Sequence, residues 1–171
     1  MNILALDLGT STGAAGSWGS ETWLLANKAN LDRATRLRLN RRLDIRAVAL
    51  WMRLLKAHQT APLDWIVFED VQFAKSRLQV QLWSSFRGVV WGFAISHDIQ
   101  VECLHTNGLK EYATGNGAAD KPMMGRALVK KHPDVYTLEN GLVKRKSEGI
   151  LLTDDEVDAL HLYDWASSII R

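Results

Sequence analysis

Four carboxylates in this chain stand where a carboxylate is costly. Asp7 closes the apolar run "NILALD", and Glu69 closes that of "DWIVFE", with Asp70 directly behind it. An unpaired charge taken out of water costs several kcal/mol or is forced to neutralise. Either Glu69 and Asp70 mark the exit of a strand into solvent, or a cation waits there. The third acidic stretch is "TDDEVDAL", starting at Thr153. Thr153 as N-cap with Glu156 three residues later is a capping box, and acids favour a helix N-terminus, which accounts for Asp154 and Glu156 as outward-pointing groups. Asp155 and Asp158 are different. Their face continues through Leu162, Trp165 and Ile169 at helical spacing, in line with a buried stripe. Asp154 takes the place of Asp155 if the helix begins one residue differently. Acids from two strand ends and one helix face that meet in space repel one another, and a divalent cation is the usual remedy. An all-oxygen set of this kind suits Mg²⁺ or Mn²⁺.

The elements that must hold these acids are legible around them. "NILALDL" reads as a buried strand, followed by "GAAGSW" and "ETWLLAN" in an antiparallel meander that turns at "GTSTG" and at Gly19-Ser20. Period 2 puts Asp7 on the side of Ile3 and Ala5, and Glu69 on the side of Trp65 and Val67. From Leu31 to His58 no Pro or Gly intervenes, and apolar residues recur at Leu37, Leu43, Val48, Trp51 and Leu55, which predicts one long helix or two. Pro62 ends it before a strand at 65–69. Residues 77–96 form a helix apolar nearly all round, "IQVECL" a further strand, and 106–131 a short helix, a glycine loop and a helix starting near Pro122. Asn140-Gly141 predicts a hairpin between Tyr136–Leu138 and Leu142–Val143. Strands that first follow one another and then alternate with helices predict a mixed α/β sheet.

Composition narrows the function. A chain of 171 residues, 47% hydrophobic, buries one sizeable core, so a single domain over 1–171 is expected. No window approaches the ~18–20 apolar residues of a membrane span and no signal-peptide pattern opens the chain; a cytoplasmic setting without membrane contact is expected. The single cysteine, Cys103, excludes an internal disulfide framework and a cysteine zinc site, and reads as an inert core thiol. Net charge is +2, but residues 1–60 carry +5 and the rest −3. Positive charge gathers at Arg33–Arg46, with smaller groups at Lys121–Lys131 and Lys144–Lys146; these suit a phosphate-rich partner and equally a solvated helix face. His161 lies on the face beside the acids and reads as a structural histidine, and the seven tryptophans as core and helix-interface groups.

Asp7 in "LALDLGTSTGAAG", Glu69 in "FEDVQFAKS", the helix "QLWSSFRGVVWGFA", Lys110 and Lys121 in "NGLKEYATGNGAADK", and "DEVDAL" together resemble the RuvC family of Holliday-junction resolvases, in order and rough spacing over nearly the whole chain. The resemblance implies a ribonuclease H-like fold, a mixed sheet flanked by helices, and a crossover junction endodeoxyribonuclease that binds four-way DNA as a homodimer and nicks symmetrically. It implies that Asp7, Glu69, Asp155 and Asp158 hold two Mg²⁺ ions, with Mn²⁺ able to substitute, and that Lys121, behind a glycine loop, meets transition-state charge. DNA contacts would come from Lys110, Lys121, Thr10, Ser11, Gln72, Phe73, Lys75 and Arg77. The excess apolar surface of 77–96 predicts the dimer contact, with Trp83, Phe86 or Val90 near the axis. The departures point to a divergent branch of bacteriophage type. Leu8 stands where the family has Pro, the following loop is one residue shorter, Gln72 occupies the place of a junction-wedging aromatic with Phe73 just beyond, and 133–152 is longer.

Three other readings compete. "DLGTSTG" also opens sugar kinases and actin-like ATPases, but those need two such domains and a second phosphate loop. A junction-binding protein without catalysis is argued against by four intact acids. A nuclease for flaps or RNA-DNA hybrids stays open, because the site and not the scaffold sets the substrate.

Overall fold

The computed structural model describes residues 1–30, 32, 44–71 and 76–170. A meander of β1 (Ile3–Asp7), β2 (Ser11–Gly16) and β3 (Gly19–Leu24) is followed by α1 (Asp44–Thr60), β4 (Trp65–Asp70), α2 (Arg77–Ser96) and β5 (Gln100–His105). Then come α3 (Thr106–Thr114), α4 (Lys121–Lys131), the short strands β6 (Tyr136–Glu139), β7 (Leu142–Arg145) and β8 (Ile150–Leu151), and α5 (Asp154–Ile169). The main sheet runs β3-β2-β1-β4-β5, and β6-β7-β8 form a second sheet. β1 is antiparallel to β2 but parallel to β4, which is parallel to β5. The sheet is therefore mixed, as the order of strand and helix signals predicts.

Strand alternation divides the core in two. Leu4, Leu6 and Phe68 pack with Leu50 and Leu54 of α1 and Phe86 and Phe93 of α2. Ile3, Ala5 and Val67 face the other way, onto Val157, Leu160 and Leu162 of α5. β1 is apolar on both sides because it is covered on both. Each strand end thus delivers alternate residues to opposite layers, and this decides where its acids go.

Several local expectations are corrected. The β2–β3 turn is Ser17-Trp18 and not Gly19-Ser20: Gly16 pairs with Gly19, whose φ of +111° tolerates no side chain easily. The Asn140-Gly141 hairpin forms with φ of 52° and 82°, the double left-handed geometry of a type I′ turn, and gains β8 as an unforeseen third strand. On α2, Phe86 and Val90 are fully buried in the chain's own core, so neither is available to a partner. Trp83 is half-buried, and the exposed apolar residues are Leu78, Val80, Trp91 and Ile95. Leu37, Leu43 and most of the Arg33–Arg46 group lie outside the described residues. Among those described, no helix is long and apolar enough to cross a membrane. Cys103 is partly buried, and burial first, then Asp70, pushes its thiol pKa up, as an inert thiol requires.

Candidate metal centre

β1 and β4 are parallel neighbours with Ala5 opposite Val67 and Leu6 opposite Phe68, so Asp7 and Glu69 leave the sheet side by side at the same end. Both project from the face that α5 covers. α5 is started by Thr153, whose hydroxyl accepts from the Glu156 amide at 3.2 Å in a complete capping box. Its first turn lies so close to β2 that a Cβ on Gly13 would sit 1.9 Å from the Asp155 carbonyl oxygen. Gly13 is the register partner of Asp7. The missing side chain therefore lets the helix come down beside that acid. One turn further on, Asp158 joins it, and Asp7, Glu69 and Asp158 offer oxygens that lie within 4.8 Å of one another.

Three carboxylates held this close are not at ease. Burial first, then Glu69, Asp158 and Asp155, push the Asp7 pKa well above the ordinary carboxylate range, with Lys121 opposing. Burial pushes Glu69 up too; the Thr106 hydroxyl, donating to Oε1 at 2.5 Å, and Lys110 hold it back. Asp158 rises to about 7, again by burial first and then by repulsion from Glu69, Asp154 and Asp155. Hard oxygen donors in mutual repulsion suit a divalent cation, and Asp7, Glu69 and Asp158 are the residues that could hold one.

The structure brings three of the four sequence-identified acids into one cluster. Asp155 stands outside it, close enough to raise the pKa of the other three. Lys121 is at the rim, its ammonium donating to Asp154 at 2.6 Å, which raises its pKa. Lys110 lies on α3 near Glu69. Thr10 is exposed and Ser11 half-buried in the turn after Asp7, and Arg77 is exposed at the start of α2. Gln72, Phe73 and Lys75 lie outside the described residues. Asp70 has its own cation: on the opposite face of β4, Arg87 donates to it at 2.6 Å.

Other supporting residues carry little or no sequence signal. Glu156 is buried rather than outward, accepting from Ser20 at 3.2 Å, Thr22 at 3.2 Å and the Thr153 amide at 3.0 Å. Arg145 of β7 donates to the Ser20 hydroxyl at 2.8 Å and carbonyl at 3.1 Å, so the long 133–152 segment braces β3 and, through it, the start of α5. His161 is fully buried, with Nε2 donating to the Met124 carbonyl at 3.0 Å and Nδ1 without a partner among the described residues; burial lowers its pKa. The sequence shows Glu156 only as a cap and His161 only as a structural histidine, while Gly13 could have been suspected, as a glycine inside a strand often marks a close backbone approach.

Gly13→Ala is therefore expected to be disruptive beyond its size. The new methyl must displace the backbone of α5, an overpacking cost of at least ~1–3 kcal/mol, and it does so beside Asp7. Urea unfolding should show the loss, and any activity of the three-acid site should fall further than stability does.

No protein-family model matches the sequence, and no curated protein matches it. Solved structures that share its fold include two of RuvC. One is Thermus thermophilus RuvC in complex with a Holliday junction substrate, with a TM-score of 0.64 at 13% identity over 95% of this chain and 90% of that one. The other, a further Thermus thermophilus RuvC structure, gives a TM-score of 0.63 at 13% identity over 99% of this chain and 96% of that one. A five-stranded mixed sheet flanked by helices, aligned with these structures almost from end to end, gives the chain a RuvC-like, ribonuclease H-like α/β fold.

Proposed function

We propose that the protein is a divalent-metal-dependent endonuclease that resolves branched DNA, four-way junctions above all, as a divergent relative of RuvC. The observation that carries this reading is the convergence of Asp7, Glu69 and Asp158 within 4.8 Å at the strand ends of a fold like that of RuvC bound to a junction. When bound, the cations supply Lewis-acid stabilisation of the phosphate and a lowered pKa for attacking water. The chain's own part is to hold and orient. Glu69 is fixed by Thr106, Asp158 by the capped and braced start of α5, and Asp7 by its place in the central strand. Asp155 completes the acidic set from the edge. Lys121 leaves Asp154 for the phosphate as DNA enters, and Lys110 offers a second positive group. The protein acts as a homodimer through α2, with Leu78, Val80, Trp91 and Ile95 as the apolar contact, so that two sites nick symmetrically. An acidic cluster with its lysines at the rim does not by itself select a branched substrate; the RuvC likeness supports that part.

Labelled four-way, Y-shaped, flap, RNA-DNA hybrid and linear duplex substrates, each with and without Mg²⁺, test the reading. Paired symmetric nicks in the four-way substrate are expected, dependent on metal, from a species of about twice 19.2 kDa by light scattering. Equal cutting of linear duplex, or preference for flaps or RNA-DNA hybrids, would overturn the junction assignment.

A further inference from the structure

A shallow groove between α3 and α4 leads away from the acids, lined by Thr114, Met123, Arg126, Lys130 and Lys131 among others. Both helices begin at the metal centre. α3 opens with Thr106, which donates to Glu69, and Lys110 lies one turn on; α4 opens with Lys121, whose charge reaches Asp7 and Asp158. They also run side by side, because Lys131 at the end of α4 meets Tyr112 near the end of α3, donating to its hydroxyl at 3.0 Å. Lys131 is committed there, with Asp164 at 3.1 Å, and His132 takes the same carboxylate at 2.7 Å. Arg126 and Lys130 are not committed. They are exposed, lie four residues apart on one helix face, and have no ion pair or hydrogen bond to another side chain among the described residues. At ~1.5 Å per residue they stand about 8 and 14 Å along the helix from Lys121. Each strand of duplex DNA carries one charge per ~3.4 Å of axis, so cations at those distances meet phosphates about two to four nucleotides from the one beside Lys121.

We infer that this groove is a phosphate track for one duplex arm of the substrate, with Arg126 and Lys130 as its contacts. The identity of that substrate rests on the nuclease reading; the contact with DNA does not, because it is measured without metal. The test compares the Arg126→Ala/Lys130→Ala double variant with wild type, using salt titrations of metal-free binding to a four-way junction. Arg53→Ala/Lys56→Ala is the matched control, since those two residues line a cavity with Asn2 and Leu63 at the opposite end of the sheet. The groove variant should lose about two units of log–log salt slope per subunit, so about four for a dimer on one junction, and the control none. Neutral methylphosphonates placed two to four nucleotides from the phosphate that Lys121 meets should weaken wild type by about 10-fold and leave the groove variant unchanged. An unaltered slope in the groove variant, or an equal loss in the control, overturns the track. The two readings fail separately. A wild type that shows the track but never cuts refutes the nuclease, while cutting with an unaltered slope in the groove variant refutes the track alone.

Discussion

Asp7→Asn, Glu69→Gln and Asp158→Asn should each lower junction cleavage by at least ~100-fold, corresponding to ~2.7 kcal/mol of lost transition-state stabilisation. Each exchange removes one negative charge at nearly constant volume from a set whose oxygens lie within 4.8 Å of one another. An amide is a neutral and weaker ligand for a hard cation. Junction binding in the absence of metal should persist or tighten, because the acids repel DNA phosphates and each substitution relieves part of that. Asp155→Asn should fall less steeply than the other three, since Asp155 acts on the cluster from outside it. Asp134→Asn, an exposed acid remote from the cluster in sequence, serves as the control and should leave the rate unchanged. Single-turnover cleavage read alongside metal-free binding distinguishes lost chemistry from lost affinity. Parallel loss of binding in all three amide variants would mean that the acids support the fold and not the reaction.

The same crowding predicts how the metal-free protein responds to pH. Asp7, Glu69 and Asp158 all have folded-state pKa values above those of free carboxylates. Between the unfolded value, near 4, and the folded one, the native state binds more protons than the unfolded state, so stability falls as pH rises through that window. The contribution is fully present at acid pH and lost above it. For Asp158 the window runs from 3.8 to about 7, which corresponds to up to roughly 4 kcal/mol, less whatever solvent at the open side of the site screens. Denaturant midpoints in chelator should therefore decline between pH 5 and pH 8, and Asp158→Asn should flatten the decline. A midpoint that rises across that range would contradict the electrostatics assigned to the site.

Most of the sheet and the identity of the acids could be read from residue patterns, because both rest on short-range rules. Alternation in "ILALD" and "WIVFED" gives the faces of Asp7 and Glu69, and Thr153 with Glu156 gives the start of α5 to the residue. What failed to show was contact between segments distant in sequence. Glu156 looked like an outward cap, yet Ser20 and Thr22 of β3 meet it and bury it. Phe86 and Val90 looked available for a partner, because periodicity cannot say that β4 and α1 already cover that face. The fit of Gly13 to the Asp155 carbonyl depends on helix placement that no local rule encodes. Asp155 shared a helical face with Asp158, but a face is wider than the 4.8 Å cluster that Asp158 joins.

The most direct measurement of the central claim is the Mg²⁺-induced shift in thermal unfolding at pH 8, for wild type and Asp158→Asn. If Asp7, Glu69 and Asp158 form the metal centre, metal-free wild type is held down by their repulsion and Mg²⁺ relieves it. Saturation to about 100 times the dissociation constant adds ~2.7 kcal/mol, or roughly 5–10 °C for a chain of this length. The gain should shrink at pH 5.5, where the cation must displace protons. Asp158→Asn should start above wild type without metal and gain little from Mg²⁺. A wild type indifferent to Mg²⁺, or a variant that gains as much as wild type, would contradict the assignment of these three carboxylates as the metal site.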